Sequence, residues 1–252
     1  MNSTLTASYD LRLVALSVVI AIFASYAALD LAGRVTAARN SARLAWLIGG
    51  AVAMGTGIWS MHYTGMLAYH LPVAVYYHIP TVILSLVAAI GASFVALLVV
   101  SRPRVSIGHV TVGSLLMAIG ISGMHYTGMA SMRLSAMHQW DMTFVVLSVV
   151  IALIVALAAL GLTFLFREDK HDKILKGVCA VIMGFAIPAM HYTAMAAVSY
   201  MPMTGDPDMA NAVDISGFAN TTIILITFVL LGAVLVIPRM VSEPQKPAAS
   251  EA

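Results

Sequence analysis

The sequence predicts an all-α polytopic membrane protein: seven transmembrane helices, built as three repeated helical hairpins plus a seventh helix. Three observations carry that prediction. The chain is 61% hydrophobic and only 10% charged, whereas a soluble domain carries about 25% charged residues. With a mean hydropathy of +0.95, too few charges remain to cover a water-facing surface. Seven apolar stretches are long enough to cross a bilayer, which takes roughly 20 residues of helix. Lys and Arg crowd into alternate connections between those stretches.

Span 1 covers 10–32. It follows "MNSTLTASYD", which has no Lys or Arg before Arg12. The basic n-region of a cleaved signal peptide is missing, so the helix is expected to be retained, although "ASYAA" at 24–28 has the small residues of a cleavage site. Spans 2 to 7 follow at 43–69, 80–101, 108–132, 142–166, 174–200 and 218–238. Pro188 is expected to kink span 6. The connections are short and leave no stretch for a second folded domain. The expected organisation is a short outer N-terminus at 1–9, one seven-helix membrane domain at 10–240, and a polar cytoplasmic tail at 241–252, disordered by composition. Cys179 is the one cysteine. It excludes an intrachain disulfide or a thiolate cluster.

Orientation follows from the basic residues. Arg34, Arg39 and Arg43 lie between spans 1 and 2. Arg102 and Arg104 lie between 3 and 4, and Arg167, Lys170, Lys173 and Lys176 between 5 and 6. Arg239 and Lys246 are in the tail. Only Arg12 and Arg133 fall on the other side. By the positive-inside rule the N-terminus is outside and the C-terminus cytoplasmic. Six histidines (62, 70, 78, 125, 138 and 191) then belong to the outer side. His109 and His171 sit among inner basic residues. No nucleic-acid partner is expected; the partner is the lipid bilayer.

The tetrapeptide Met-His-Tyr-Thr occurs three times, in "SMHYTGM" at 60–66, "GMHYTGM" at 123–129 and "AMHYTAM" at 189–195. His125 is 63 residues after His62, and His191 is 66 after His125. One helical hairpin fills that distance, and two crossings return the chain to the same side. The three copies therefore lie at one depth on spans 2, 4 and 6, roughly 25–28 Å above the inner helix starts at 1.5 Å per residue. The longer alignment of "MGTGIWSMHYTGM", "MAIGISGMHYTGM" and "MGFAIPAMHYTAM" repeats Met eight before the His, Ile four before, Met one before and Met four after. All copies insert the same way, unlike an inverted transporter repeat.

On a helix the His and the Met four later stand one above the other. The methionines at one and eight before form a second stripe beside them. Each copy thus offers imidazole and thioether near the outer surface, and small neighbours such as Gly65 and Gly128 let the helices approach. Imidazole with thioether is a soft ligand set that suits copper, Cu(I) above all. Neutral ligands also avoid the cost of charge inside lipid. Two axial histidines on a haem are the alternative.

Plainer readings stand beside this one. Methionine fills gaps in apolar helices, but 15 of the 17 Met fall between 54 and 209, away from the inner helix halves. Tyr63, Tyr126 and Tyr192 serve either to support the ligands or as anchors at the membrane interface, where Tyr69, Tyr76, Tyr77 and Tyr200 also gather. The motif threonines are expected to bond back to their own helices. His70, His78 and His138 read as solvated loop residues, with metal delivery as the alternative; Met201 and Met203 read the same way. A retinal Schiff base is set aside because span 7 has no Lys.

Three MHYT motifs on alternate helices of a seven-span bundle resemble the bacterial MHYT domain family, over about residues 10–240. The resemblance implies a sensor domain in the bacterial cytoplasmic (inner) membrane that binds copper near the outer face and responds to a diatomic gas such as O₂, CO or NO, or to redox state. It implies the ligands Met61, His62, Met66, Met124, His125, Met129, Met190, His191 and Met195. Many family members place cytoplasmic modules after this domain, such as cyclic-di-GMP enzymes or a histidine kinase. This chain ends soon after span 7. It is therefore expected to be a stand-alone member that signals through such a partner, or part of a longer chain, and to carry no enzymatic output itself. A copper carrier and a haem or copper membrane redox protein are the alternative functions.

Overall fold

The computed structural model describes residues 4–102, 106–166, 173–203, 205, 208–214, 223–225, 227–229 and 231–232. A short strand, β1 (Ser8–Tyr9), leads into α1 (Leu11–Ala37), which a two-residue connection joins to α2 (Asn40–Leu67). After β2 (Tyr69–His70) and β3 (Tyr76–His78) come α3 (Ile79–Val100) and α4 (Ile107–Ala130). β4 (Met132–Arg133) and β5 (Ala136–Trp140) precede α5 (Met142–Phe166) and α6 (Lys173–Ala196), and β6 (Val198–Pro202) and β7 (Ala212–Val213) follow. All six of these helices are long and apolar enough to cross a membrane. Helical residues recur at 223–225, 227–229 and 231–232. This is the seventh helix, with Leu231 buried against Ala24 and Ala27 of α1 and Phe228 edge-on to Phe23 at 5.5 Å. The tail at 241–252 lies outside the described residues, as do the bases Arg104, Arg167, Lys170, Arg239 and Lys246.

The sequence supplies the helix starts. Asp10 and Asp141 accept from the backbone N–H two residues on, each at 2.8 Å. Pro80 sits in the first turn of α3, where its missing N–H costs nothing. Ser106 and His109 form a reciprocal capping box on α4, which gives His109 a structural role. α6 runs on through Pro188.

Each helix packs on the next in chain order, and α6 returns to pack on α1. The result is a closed ring of six, with α2, α4 and α6 running one way and α1, α3 and α5 the other. At the far end from the MHYT motifs, Arg34 pairs with Asp30 at 2.7 Å and lies over the Trp46 ring at 5.3 Å. Arg43 donates to Ser101 Oγ at 2.9 Å, tying α2 to α3.

The sequence predicted loops at the motif end, and the structure puts strands there. β1 pairs with β2, β3 with β4 and β5 with β6, all antiparallel. Each pair closes one hairpin: its first strand precedes the odd helix and its second follows the even one. Three backbone bonds repeat with it: Asp10 N–H to Ala68 O (2.9 Å), His78 N–H to Ser131 O (2.8 Å) and Asp141 N–H to Ala197 O (2.8 Å). β7 adds to the other edge of β3. Strands of two to five residues are too short to show alternation in a sequence; the helices that hold their ends together create the pairing. These turns end α2, α4 and α6 at Leu67, Ala130 and Ala196, two to four residues before the predicted span ends.

Candidate metal centre

The ring brings the motif-bearing faces of α2, α4 and α6 onto its axis. His62, His125 and His191 are 0%, 1% and 1% exposed. Their Nδ1 atoms form a triangle: 3.1 Å from His62 to His191, 3.1 Å from His125 to His62 and 3.3 Å from His191 to His125. The rings stand edge-on to one another, at interplanar angles of 72°, 83° and 79°.

Three imidazole nitrogens cannot satisfy one another in this arrangement. An Nδ1 presents either an N–H or a lone pair, never both. Among three such atoms at least two must present the same thing, so one edge of the triangle is always repulsive. A single cation removes the conflict, because all three then present lone pairs to it. The spacing agrees: nitrogens on a tetrahedral metal at about 2.0–2.1 Å stand about 3.3–3.4 Å apart. The edges of the triangle come within about 0.3 Å of one face of such a tetrahedron.

With Nδ1 turned inward, each Nε2 points away from the axis. None of the three Nε2 atoms has a hydrogen-bond partner among the described residues, although a metal-bound histidine usually donates its second N–H. Shape holds the rings instead. A Cβ on Gly65 would clash with His191 Nε2, and one on Gly128 with His62 Nε2. Two of the three small residues that follow the tetrapeptide are thus seats for a neighbouring imidazole. The third copy has Ala194 there, fully buried.

The tyrosines complete the support. Each ring lies edge-on to the histidine before it, with centroids at 5.1, 4.9 and 4.7 Å. Each hydroxyl reaches a serine on an odd helix. Tyr192 meets Ser17 of α1 at 2.9 Å and Tyr126 meets Ser148 of α5 at 2.7 Å. Tyr63 meets Ser85 of α3 at 3.4 Å and Ser131 at 3.3 Å. All three serines also donate to the carbonyl three residues earlier. These serines were missed in the sequence, yet a signal is there: Val-x-Leu-Ser-x-Val occurs at 14–19, 82–87 and 145–150, once per odd helix. The threonines differ from one another. Thr193 bonds back to Ala189 O at 2.8 Å, as predicted, whereas buried Thr64 Oγ1 has no partner among the described residues.

The methionines divide by position. Met66, Met129 and Met195, four after each His, share one apolar cluster with Tyr63, Tyr77 and Tyr200 beneath the strands. Met61, Met124 and Met190, one before each His, pack into three different clusters. Met54, Met117 and Met183 line a cavity deeper in the bundle. Each methionine of the first set also walls one outer pocket, of about 250 Å³ for Met66, 430 Å³ for Met129 and 480 Å³ for Met195. The pocket at Met129 holds Met132, Met142 and His138 as well. His70 and His78 turn to local partners, Ala68 O and Thr81 Oγ1. Burial pushes the Tyr9 hydroxyl up to about 12 and raises those of Tyr69, Tyr77 and Tyr200 too, so these four add no phenolate charge above the triangle.

The family model for MHYT, the bacterial signalling protein N-terminal repeat, matches residues 1–45, 55–113 and 119–175. The chain is similar to the bifunctional diguanylate cyclase/cyclic di-GMP phosphodiesterase MucR of Pseudomonas aeruginosa, at 42% identity over 92% of the chain and 34% of that protein. It is similar to the signaling protein YkoW of Bacillus subtilis, at 35% identity over 77% of the chain and 24% of that protein. It is also similar to the cyclic di-GMP phosphodiesterase NbdA of Pseudomonas aeruginosa, at 36% identity over 79% of the chain and 26% of that protein. The chain therefore spans about a quarter to a third of the length of these relatives. No solved structure matches it.

Proposed function

The chain belongs to the MHYT family of membrane sensor domains found in signalling proteins, and from that premise we propose that it senses through copper held by His62, His125 and His191. The nitrogen triangle carries this reading. Three buried imidazoles with converging, mutually incompatible Nδ1 atoms are explained by a shared cation and by little else. Copper is the choice because the residues one before and four after each His are thioethers, and no carboxylate joins the three histidines among the described residues. Met66, Met129 and Met195 are the thioethers best placed to assist, since they gather in one cluster on the strand side. Met61, Met124 and Met190 serve packing. A spacing of 3.1–3.3 Å leaves no room for a macrocycle between two of the nitrogens, which weighs against haem.

Bound there, copper would supply a soft, redox-active centre with a position open to a diatomic gas such as O₂, CO or NO. The protein's part is to hold three lone pairs inward, exclude water and couple the site to helix packing. Each His sits on an even helix and each supporting Tyr is tied to an odd one, so a change at the triangle bears on all six helices. A response requires that the ligand bind two packings unequally. The distribution of basic residues in the sequence supports an orientation with the triangle toward the outer face of a bacterial cytoplasmic membrane and the opposite helix ends toward the cytoplasm. The output is a cytoplasmic signalling partner or module. The names of MucR and NbdA point to cyclic di-GMP turnover; a histidine kinase is the alternative.

Elemental analysis of the purified full chain tests the site. Wild-type protein is expected to retain copper, and His62→Ala, His125→Ala and His191→Ala each to lose it. Equal copper in all four proteins would overturn the assignment.

A further inference from the structure

The methionines eight residues before each His play no part in the triangle, although their position repeats three times. Met54, Met117 and Met183 line one cavity of about 60 Å³, together with Ile58, Ile121 and Ile187, the residues four before each His. All three repeats thus contribute the same two positions to a single space. The Ile layer lies one helical turn, about 6 Å, from the histidines, on the side away from the strands.

The lining decides what such a space holds. Among the described residues that line it, the only polar side chains are those of Ser25 and Thr163. Thr163 Oγ1 already donates to Ala159 O at 2.6 Å. Ser25 Oγ is the one lining hydroxyl without a partner among the described residues. A buried water needs about 2–4 polar partners, and apolar cavities that lack them stay dry and accept apolar guests; one of about 150 Å³ takes benzene or xenon. A cavity of about 60 Å³ is too small for benzene and adequate for a diatomic molecule or a xenon atom.

We propose that this cavity is a pocket for an uncharged diatomic gas, from which the gas reaches the histidine triangle between the isoleucines. Such a gas dissolves in the bilayer core, and an apolar route inside the ring spares it the polar strand cap. Three flexible thioethers let the walls adapt to a guest. The proposal rests on the copper reading for its destination, and the pocket itself is testable apart from it.

The probes are carbon monoxide and xenon on the purified full chain loaded with Cu(I). Copper content and the C–O stretch report on the triangle; recombination after flash photolysis reports on the pocket. Ala156→Leu, which adds bulk to a lining position that is 1% exposed, is expected to slow recombination roughly tenfold, a barrier change near 1.4 kcal/mol. Copper content and the C–O stretch stay unchanged. Xenon under pressure is expected to slow the wild type and not the variant, a comparison that stands on the wild type alone if the variant fails to fold. Recombination insensitive to both xenon and the substitution overturns the proposal. So does a second copper lost in Met117→Ala, which would make the thioethers a metal site. Loss of copper and of the C–O band would sink the triangle reading instead. The shift of dissolved ¹²⁹Xe on adding wild type or Ala156→Leu then judges the pocket: a larger shift with the wild type supports it, and equal shifts overturn it.

Discussion

At His62 two demands meet on one ring. Nδ1 is shared with two other imidazoles, and Nε2 is seated against Gly128 with no hydrogen bond to hold it. Orientation depends on a missing methyl group, so Gly128→Ala is expected to turn the ring and weaken copper binding about 10–100-fold, the range for loss of a ligand's outer support. Ala194→Gly at the equivalent position of α6 should leave affinity within a few-fold. Competition with a Cu(I) chelator measures both. Equal affinity for Gly128→Ala and wild type would show that the seat does not set the ring. The Gly or Ala three after each His was legible only as a small residue favouring helix approach. That its open side faces another copy's histidine is a relation between helices.

The helices are held around the site by their struts. Ser17, Ser85 and Ser148 each take a motif tyrosine from the neighbouring helix, so half of the MHYT tetrapeptide reads as ligand and support, with Thr left to packing. The three struts are unequal. Tyr126 is the one side chain that Ser148 bonds among the described residues, and Ser148→Ala should cost about 1 kcal/mol, a typical net hydrogen bond. Ser85 also accepts the Trp59 indole N–H at 3.0 Å in a fully buried setting. Ser85→Ala strands that donor, adding about 1–3 kcal/mol. Unfolding in detergent should therefore rank Ser85→Ala as clearly the less stable. The reverse order would mean the indole finds another partner.

For the molecule as a whole, the question is which end of the ring faces out. The ring is closed at one end by three strand pairs, and the described bases Arg34, Arg39, Arg43, Arg102 and Lys176 belong to the other. In a background where the buried Cys179 is replaced by Ala, Gln139→Cys in β5 and Ala42→Cys in α2 present exposed thiols at opposite ends. A membrane-impermeant thiol reagent applied to intact cells is expected to label the first and spare the second. The opposite pattern would invert the orientation and place the triangle near the cytoplasm.

Hydropathy and a parallel repeat were enough to determine the class, the helix count, the common depth of the three motifs and the histidines as their centre, because these follow from length, polarity and parity along one chain. The strand pairs escaped notice for want of length, and Ser17, Ser85 and Ser148 because each lies in an apolar run that names no partner. Only the tertiary structure decided which atoms converge: Nδ1 on the axis and Nε2 against glycine, one methionine set beneath the cap and another around a cavity. Periodicity gives the direction of a side chain from its own helix, but whether six helices close into a ring, and so aim three faces at one point, depends on packing between them.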